Sequence, residues 1–324
     1  MNQEDWQFPG NLQPDPASID FKLDACLNSV VSLRAEIPED GFTADTLGTS
    51  RQGNGVLINS TGLILTIGYL ITEAETIWLS TNQGESVPGT VVAYDQVTGF
   101  GFVQALGTLR NIEPIPVGSA KNLSVGEDLL VVGHGGRKRT LRANMVSKHC
   151  FTGYWEYFLE EAIFTSPVHP QWGGAGIVNG RGELVAIGSL LTEEITAEGA
   201  MQTNMAVPID LVFPLLENLK NGLPPREHTR PWLGIYATDN NGQTVVVGLA
   251  KNGPAETALI QPKDVVLEVE GESVNSLADF LKKVWAIGTA GSNISLKILR
   301  NDKTLNLLVK SADRNDFLKK PSLH

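Results

Sequence analysis

Between Leu27 and Ser189 the apolar positions come in short runs broken by Gly, Asn and Pro: Val30-Val31-Ser32-Leu33, Thr76 to Ser80, Val87 to Ala93, Phe100 to Ala105 and Asp128 to Gly133. Runs of strand length at regular spacing predict an all-β barrel or sandwich. Gly55 to Ile58 and Gly62 to Thr66 read as a hairpin, and Glu183 to Gly188 closes the series. The period then changes. Leu211, Leu215, Leu216 and Leu219 share one face of a helix predicted over Ile209 to Lys220. Asn221-Gly222-Leu223-Pro224-Pro225-Arg226-Glu227-His228 has linker chemistry: the glycine ends a helix and the two prolines stiffen the chain. Beyond it, Val245 to Val247 and Val265 to Leu267 read as strands, and Leu277, Phe280, Leu281 and Val284 as a helical stripe. Ile294, Leu296, Ile298 and Leu305, Leu307, Val309 alternate around Asn301-Asp302 as a hairpin. That tail is a small α+β domain.

Composition narrows the class. A chain of 324 residues with 42% hydrophobic and 19% charged residues has material for two globular cores. A net charge of -11 repels phosphate backbones and anionic lipid, so nucleic acid is not an expected partner. No apolar stretch is long enough to span a bilayer. The start, Met1 to Trp6, has neither the basic residues nor the apolar run of a secretory signal, and two cysteines, Cys26 and Cys150, make no disulfide framework. Both are expected to be buried thiols, and the cytoplasm is the expected compartment. The polar first twenty residues, with Pro9, Pro14 and Pro16, read as an arm; Trp6 and Phe8-Pro9 add an aromatic element to it.

The candidate chemistry lies in three segments that resemble the active-site segments of a chymotrypsin-like protease. Gly53 to Ile58 and Gly62 to Thr66 lead to a position for histidine, where Tyr69 stands. Asp95-Gln96-Val97-Thr98 leads to a position for aspartate, where Gly99 stands. Pro170-Gln171-Trp172-Gly173-Gly174-Ala175-Gly176-Ile177-Val178-Asn179 resembles the nucleophile loop, with Gly173 in the serine position. The tail resembles a PDZ domain: Arg230-Pro231-Trp232-Leu233-Gly234-Ile235 is similar to its carboxylate-binding loop and first strand. Gly253-Pro254-Ala255 and Leu259 to Leu267 are similar to its internal helix and turn, with Lys263 where a glycine is usual. Together with Ala206-Val207-Pro208-Ile209-Asp210 before the linker, these residues resemble the HtrA/Deg family over roughly 25–310. The resemblance implies a double β-barrel followed by a PDZ domain. The implied division is an N-terminal arm at 1–24, a trypsin-like domain at 25–222, a linker at 223–229, a PDZ domain at 230–314 and a tail at 315–324.

The residues present exclude the family's chemistry at its usual positions. A serine nucleophile needs a base to take its proton and a carboxylate to orient that base. Gly173 offers no nucleophile, Gly99 orients nothing, and a phenol with an ordinary pKa near ~10 is a poor base at neutral pH. Gln171 and Trp172 also depart from the oxyanion loop. Ser166, His169 and the His149-Cys150 pair are the residues from which a site could be rebuilt, and His134-Gly135-Gly136 before Arg137-Lys138-Arg139 is a candidate anion loop; the family's asparagine in that loop corresponds to His134. Five histidines without HExxH or CxxC spacing predict no metal, and no cofactor is expected. The PDZ resemblance implies capture of a peptide's free C-terminal carboxylate by unpaired N–H groups around Leu233, Gly234 and Ile235, beside Trp232, with Phe280 and Val284 shaping the pocket. The expected function is non-proteolytic binding of peptides or unfolded segments, in protein quality control. An endopeptidase with a non-standard site and a structural subunit assembling with active paralogues are the alternatives. The family's N-terminal arms imply a homo-trimer, with a monomer or another assembly as the alternative.

Overall fold

A computed structural model describes residues 6–196, 199–226 and 228–320; Met1 to Asp5, Ala197, Glu198, Glu227 in the linker and the last four residues of the tail lie outside them. Contacts divide the chain into two compact units. The first comprises 1–149 and 161–225, and the second 150–160 and 226–319.

The first unit holds two closed antiparallel barrels of six strands each. Barrel one is built from β1 (Val30–Glu36), β2 (Ser50–Leu57), β3 (Leu63–Ile67), β4 (Thr76–Ser80), β5 (Ser86–Tyr94) and β6 (Phe100–Ala105). Barrel two is built from β7 (Asp128–Val132), β8 (Thr140–Gly153), β9 (Tyr157–Ser166), β10 (Gly176–Val178), β11 (Leu184–Thr196) and β12 (Gly199–Pro208). The strand period of two sorts side chains in β1: Val31, Leu33 and Ala35 are buried while Arg34 faces water. Leu33 pairs with Gly53 on one side and Leu79 on the other, which fixes the register of the sheet. Phe100, Phe102, Ile64 and Leu65 fill barrel one. Leu129, Val131, Leu141, Met145, Ile163 and Ile177 fill barrel two.

The helix predicted over Ile209 to Lys220 is present in two parts, a 3-10 turn at Ile209–Val212 and an α-helix at Phe213–Lys220. Pro214 lies in the first α-turn, where its missing N–H is not needed. The buried face runs through Ile209, Val212 and Leu215, whereas Leu211 is exposed. The arm differs from expectation. Trp6 and Phe8 pack edge-on to each other and to His169, and the Phe8 N–H donates to Lys138 O at 2.9 Å. Phe8 and Leu12 pack against the core of barrel two. Only Cys26 is a buried thiol, its pKa pushed up to about 12 by burial; Cys150 is exposed.

The second unit is a six-stranded sheet with one amphipathic helix. Its strands are β13 (Ile235–Asn240), β14 (Gln243–Leu249), β15 (Val265–Val269), β16 (Glu272–Ser273), β17 (Asn293–Arg300) and β18 (Lys303–Lys310), ordered β13-β14-β15-β17-β18 with β16 beside β15. The helix Leu277–Ala286 starts at Ser276, whose hydroxyl accepts from Asp279 N, and it buries Leu277, Phe280, Leu281 and Val284. Asn301 and Asp302 both adopt positive φ, as the two-residue hairpin turn demands. Lys263 sits at φ +78°, the conformation for which glycine is the usual choice.

Candidate functional site

The three degenerate segments come together on the first unit. β3 ends at Ile67 and runs into the 3-10 turn Gly68–Leu70, which carries Tyr69. The Gly68 N–H donates to Gly99 O at 2.6 Å, so the turn at Gly99 abuts the turn at Tyr69. A first side-chain carbon on Gly173 would lie 2.7 Å from the Tyr69 hydroxyl. The space that a nucleophile's side chain would need is filled by the phenol.

Each position is held by its own local chemistry. The Tyr69 hydroxyl donates to Ser189 O at 2.8 Å. Burial pushes its pKa well above that of a free phenol, against a smaller opposing hydrogen bond from Trp172. It is protonated at any physiological pH and does not serve as a base. Under its turn lies a buried polar hub. The Arg51 guanidinium donates to Tyr69 O at 2.7 Å, Thr72 O at 3.1 Å and Thr43 Oγ1 at 2.8 Å. The buried Glu73 carboxylate accepts from Phe42 N at 2.8 Å and Thr43 N at 2.7 Å. Gly99 closes the turn that begins at Asp95, whose carboxylate accepts from Thr98 N at 2.9 Å and Thr98 Oγ1 at 2.7 Å. Gly99 has φ +81°, a backbone conformation in which an aspartate would be strained.

The loop after Pro170 is tied to barrel one by Asn54. Its N–H donates to Gly173 O at 2.8 Å, its Nδ2 donates to Gln171 O at 2.8 Å, and its Oδ1 accepts from His134 N at 2.8 Å. The Gln171 N–H, one of the two donors an oxyanion site requires at this loop, donates to His169 Nδ1 at 3.0 Å. His169 Nε2 in turn donates to Arg139 O at 2.8 Å. This fixes the tautomer with the proton on Nε2, and burial lowers the pKa to about 4. His169 therefore has both nitrogens committed and is a bracket for the loop, not a base from which a site is rebuilt. His149 stacks on Phe164 with ring centres 4.4 Å apart and bonds Glu194 at 3.0 Å. The candidate anion loop is also spent: His134 N goes to Asn54, and Gly135 N donates to Asn82 Oδ1 at 2.7 Å. No cluster of acidic, histidine and cysteine side chains suited to a metal occurs among the described residues.

The second unit corrects the expectation of an open peptide groove. The Leu233 N–H donates to both oxygens of the Glu156 carboxylate at 3.2 and 3.1 Å, and the Ile235 N–H donates to it at 2.8 Å. Further along β13, the Ala237 N–H donates to Tyr154 O at 3.0 Å. These donors are paired, not free. Leu233, Ile235, Phe280 and Val284 are buried together in the unit's core, and Phe158 joins that cluster. Trp232 is buried, pairs with Ala312 through both backbone groups and meets Phe317 edge-on. Gly234 has φ +73°, so a valine there strains the backbone and is not the clean probe of the groove that its position suggests. Neither Asn54 nor Glu156 is signalled by sequence. An asparagine between two glycines and a glutamate among aromatics acquire roles only through partners more than seventy residues away.

A double six-stranded barrel followed by a small sheet with one groove helix defines a chymotrypsin-like fold joined to a PDZ fold. The family pattern of the trypsin-like peptidase domain matches residues 53–187, and that of the PDZ domain matches residues 231–310. The chain is 24% identical to a probable periplasmic DegP-like serine endoprotease of Halomonas elongata over 82% of its length. It is 26% identical to the putative serine protease HhoA of Synechocystis and 24% identical to serine endoprotease DegS of Haemophilus influenzae, with 81% and 82% of this chain aligned. It spans 57%, 70% and 78% of those three proteins. The solved structure of the HtrA-type protease AlgW with a tripeptide superposes with a TM-score of 0.54 at 20% identity, over 95% of this chain and 99% of that one. The chain carries a trypsin-like peptidase domain and a PDZ domain, and over about four fifths of its length it is similar to DegP-like and DegS serine endoproteases. The comparison overturns the cytoplasmic expectation, because the DegP-like relatives of Halomonas elongata and Pseudomonas putida are named periplasmic endoproteases. Thiol count was a weak guide to compartment: two cysteines, one of them buried, are compatible with either redox environment.

Proposed function

We propose that this chain is a non-proteolytic HtrA-family protein of the periplasm that holds peptides or unfolded segments through its PDZ unit. The observation that carries the reading is the shut nucleophile position: Gly173 lies against the Tyr69 hydroxyl, and the Gln171 N–H is consumed by His169. Nucleophile, base, orienting carboxylate and one oxyanion donor are absent together. In a well-studied protease, loss of the triad alone lowers turnover by roughly a million-fold and leaves about a thousand-fold over water from the oxyanion site and binding. Here that residual catalysis also loses a donor. The trypsin-like unit then acts as a rigid scaffold, with the Arg51 and Asn54 networks holding its loops, and the PDZ unit supplies recognition.

Relatives carrying the name serine endoprotease support the competing reading of an active enzyme with a non-standard site. A fluorophosphonate probe decides between them. An active HtrA-type protease labels, and this chain is expected to remain unlabelled at equal concentration. Stoichiometric labelling at one residue would overturn the reading. Assembly as a homo-trimer or beside active relatives belongs to the same proposal and is read by light scattering of the chain alone and after mixing.

A further inference from the structure

The PDZ unit already contains what a bound peptide would supply, and its own chain supplies it. Recognition of a C-terminal carboxylate by strand addition needs convergent N–H donors for the carboxylate, a backbone carbonyl paired with the edge strand, and an apolar side chain in the cleft. The Glu156 carboxylate takes the N–H groups of Leu233, Gly234 and Ile235. Two residues earlier, Tyr154 O accepts from Ala237 N on β13 at 3.0 Å. Phe158 enters the apolar cluster of Leu233, Ile235, Phe280 and Val284, and the Lys282 ammonium lies 4.4 Å over its ring. We propose that the segment Tyr154–Phe158 is an internal ligand that occupies the peptide groove, so that a peptide with a free C-terminal carboxylate binds only by displacing Glu156. This rests on the PDZ unit being a peptide-binding site.

The electrostatics fit an occupant that can be expelled. Glu156 is half-buried, and its partial burial pushes its pKa up to about 7, against the three N–H bonds and the positive charge of Arg314, which favour the carboxylate. The charged and titratable groups that interact with it are Arg314 and Tyr236, of which Arg314 carries the opposing charge. A carboxylate partly withdrawn from water costs free energy in the closed form, and exposure to water recovers it. Tyr154 to Glu156 form a turn, with Glu156 at φ +59° in the left-handed region that favours glycine, so the occupant is held in a strained backbone. A tethered ligand competes at an effective concentration in the millimolar range. If it occupies the groove about 99 times in 100, an external peptide binds about 100-fold more weakly than its intrinsic affinity.

The test uses the full chain and a fluorescein-labelled peptide with an apolar last residue, as the free acid and as its amide. Glu156→Ala is expected to bind the free acid at least ~10-fold more tightly than wild type, with no gain for the amide. Glu156→Gln keeps the shape and one acceptor, guards against a folding artefact, and is expected to fall between them. Amide exchange at Leu233 and Ile235 gives a readout without any peptide. Both are expected to be protected in wild type and to lose protection in Glu156→Ala, while Leu296 in the sheet keeps its own. Equal, carboxylate-dependent binding by wild type and Glu156→Ala overturns the internal ligand and leaves the peptide-binding reading standing. Loss of protection at Leu233 and Ile235 without any gain in peptide binding overturns the peptide-binding reading itself, and the proposal with it.

Discussion

Replacing Gly173 by alanine tests whether the nucleophile position is closed by Tyr69. The added carbon would lie 2.7 Å from the Tyr69 hydroxyl, well inside van der Waals contact. The hydroxyl cannot retreat without losing its 2.8 Å bond to Ser189 O. Overpacking of this kind costs about 1–3 kcal/mol, and a broken buried hydrogen bond adds about 1 kcal/mol. Tyr69→Phe removes the clashing oxygen; the next atom of the ring is 3.7 Å from the new carbon, an ordinary contact. Gly173→Ala is therefore expected to cost about 2–3 kcal/mol in the wild type and under about 1 kcal/mol in the Tyr69→Phe background, a coupling of about 1–2 kcal/mol. Urea unfolding of wild type, both single variants and the double variant measures it. Strict additivity would show that Gly173 and Tyr69 do not share the space, and the closed-site argument would fall. The same geometry explains why restoring a serine at Gly173 without first removing Tyr69 cannot rebuild the site.

Three more outcomes concern the buried polar groups. Arg51→Ala leaves Glu73 buried without its cation and should lower the unfolding free energy by about 3–5 kcal/mol, read by urea titration; a loss under about 1 kcal/mol would contradict the hub. Glu156 has a folded pKa raised from 4.5 to about 7, so its contribution is present below 4.5 and lost as pH rises through 7. Glu156→Gln should therefore remove a fall in stability of up to about 3 kcal/mol across that window, and an unchanged pH profile would refute the burial. His169 has a folded pKa lowered to about 4, so its contribution is present above 6.5 and lost as pH falls through 4. Its ring signals by NMR should stay those of the Nε2-protonated neutral form at pH 5; a normal titration near 6.5 would show that Gln171 N is free.

Much of the architecture was legible because it rests on local patterns. Strand alternation in the Ile294 to Val309 hairpin and the apolar stripe from Leu277 to Val284 both report burial on one face. The segments around Tyr69, Gly99 and Gly173 could be placed because each resembles an active-site segment of the HtrA/Deg family. What the sequence did not yield was occupancy. That Gln171 N is spent on His169, and Leu233 N on Glu156, depends on partners brought together by the fold, and no periodicity encodes them. The arm shows the same limit: Trp6 and Phe8 read as the aromatic element of an arm, and they pack on His169 and, through Phe8, on the core of barrel two. The eleven residues Cys150 to Glu160 belong to the second unit although they lie inside the span of the first, a long-range arrangement that composition does not reveal.

The most direct test of the central claim is long incubation of the purified full chain with an unfolded protein substrate, then intact-mass spectrometry of everything recovered. Binding without proteolysis predicts substrate recovered at full mass, in complex and free, with no fragments above those in a mock purification. Fragments that accumulate in proportion to the chain, and that disappear with a single substitution in it, would contradict the account.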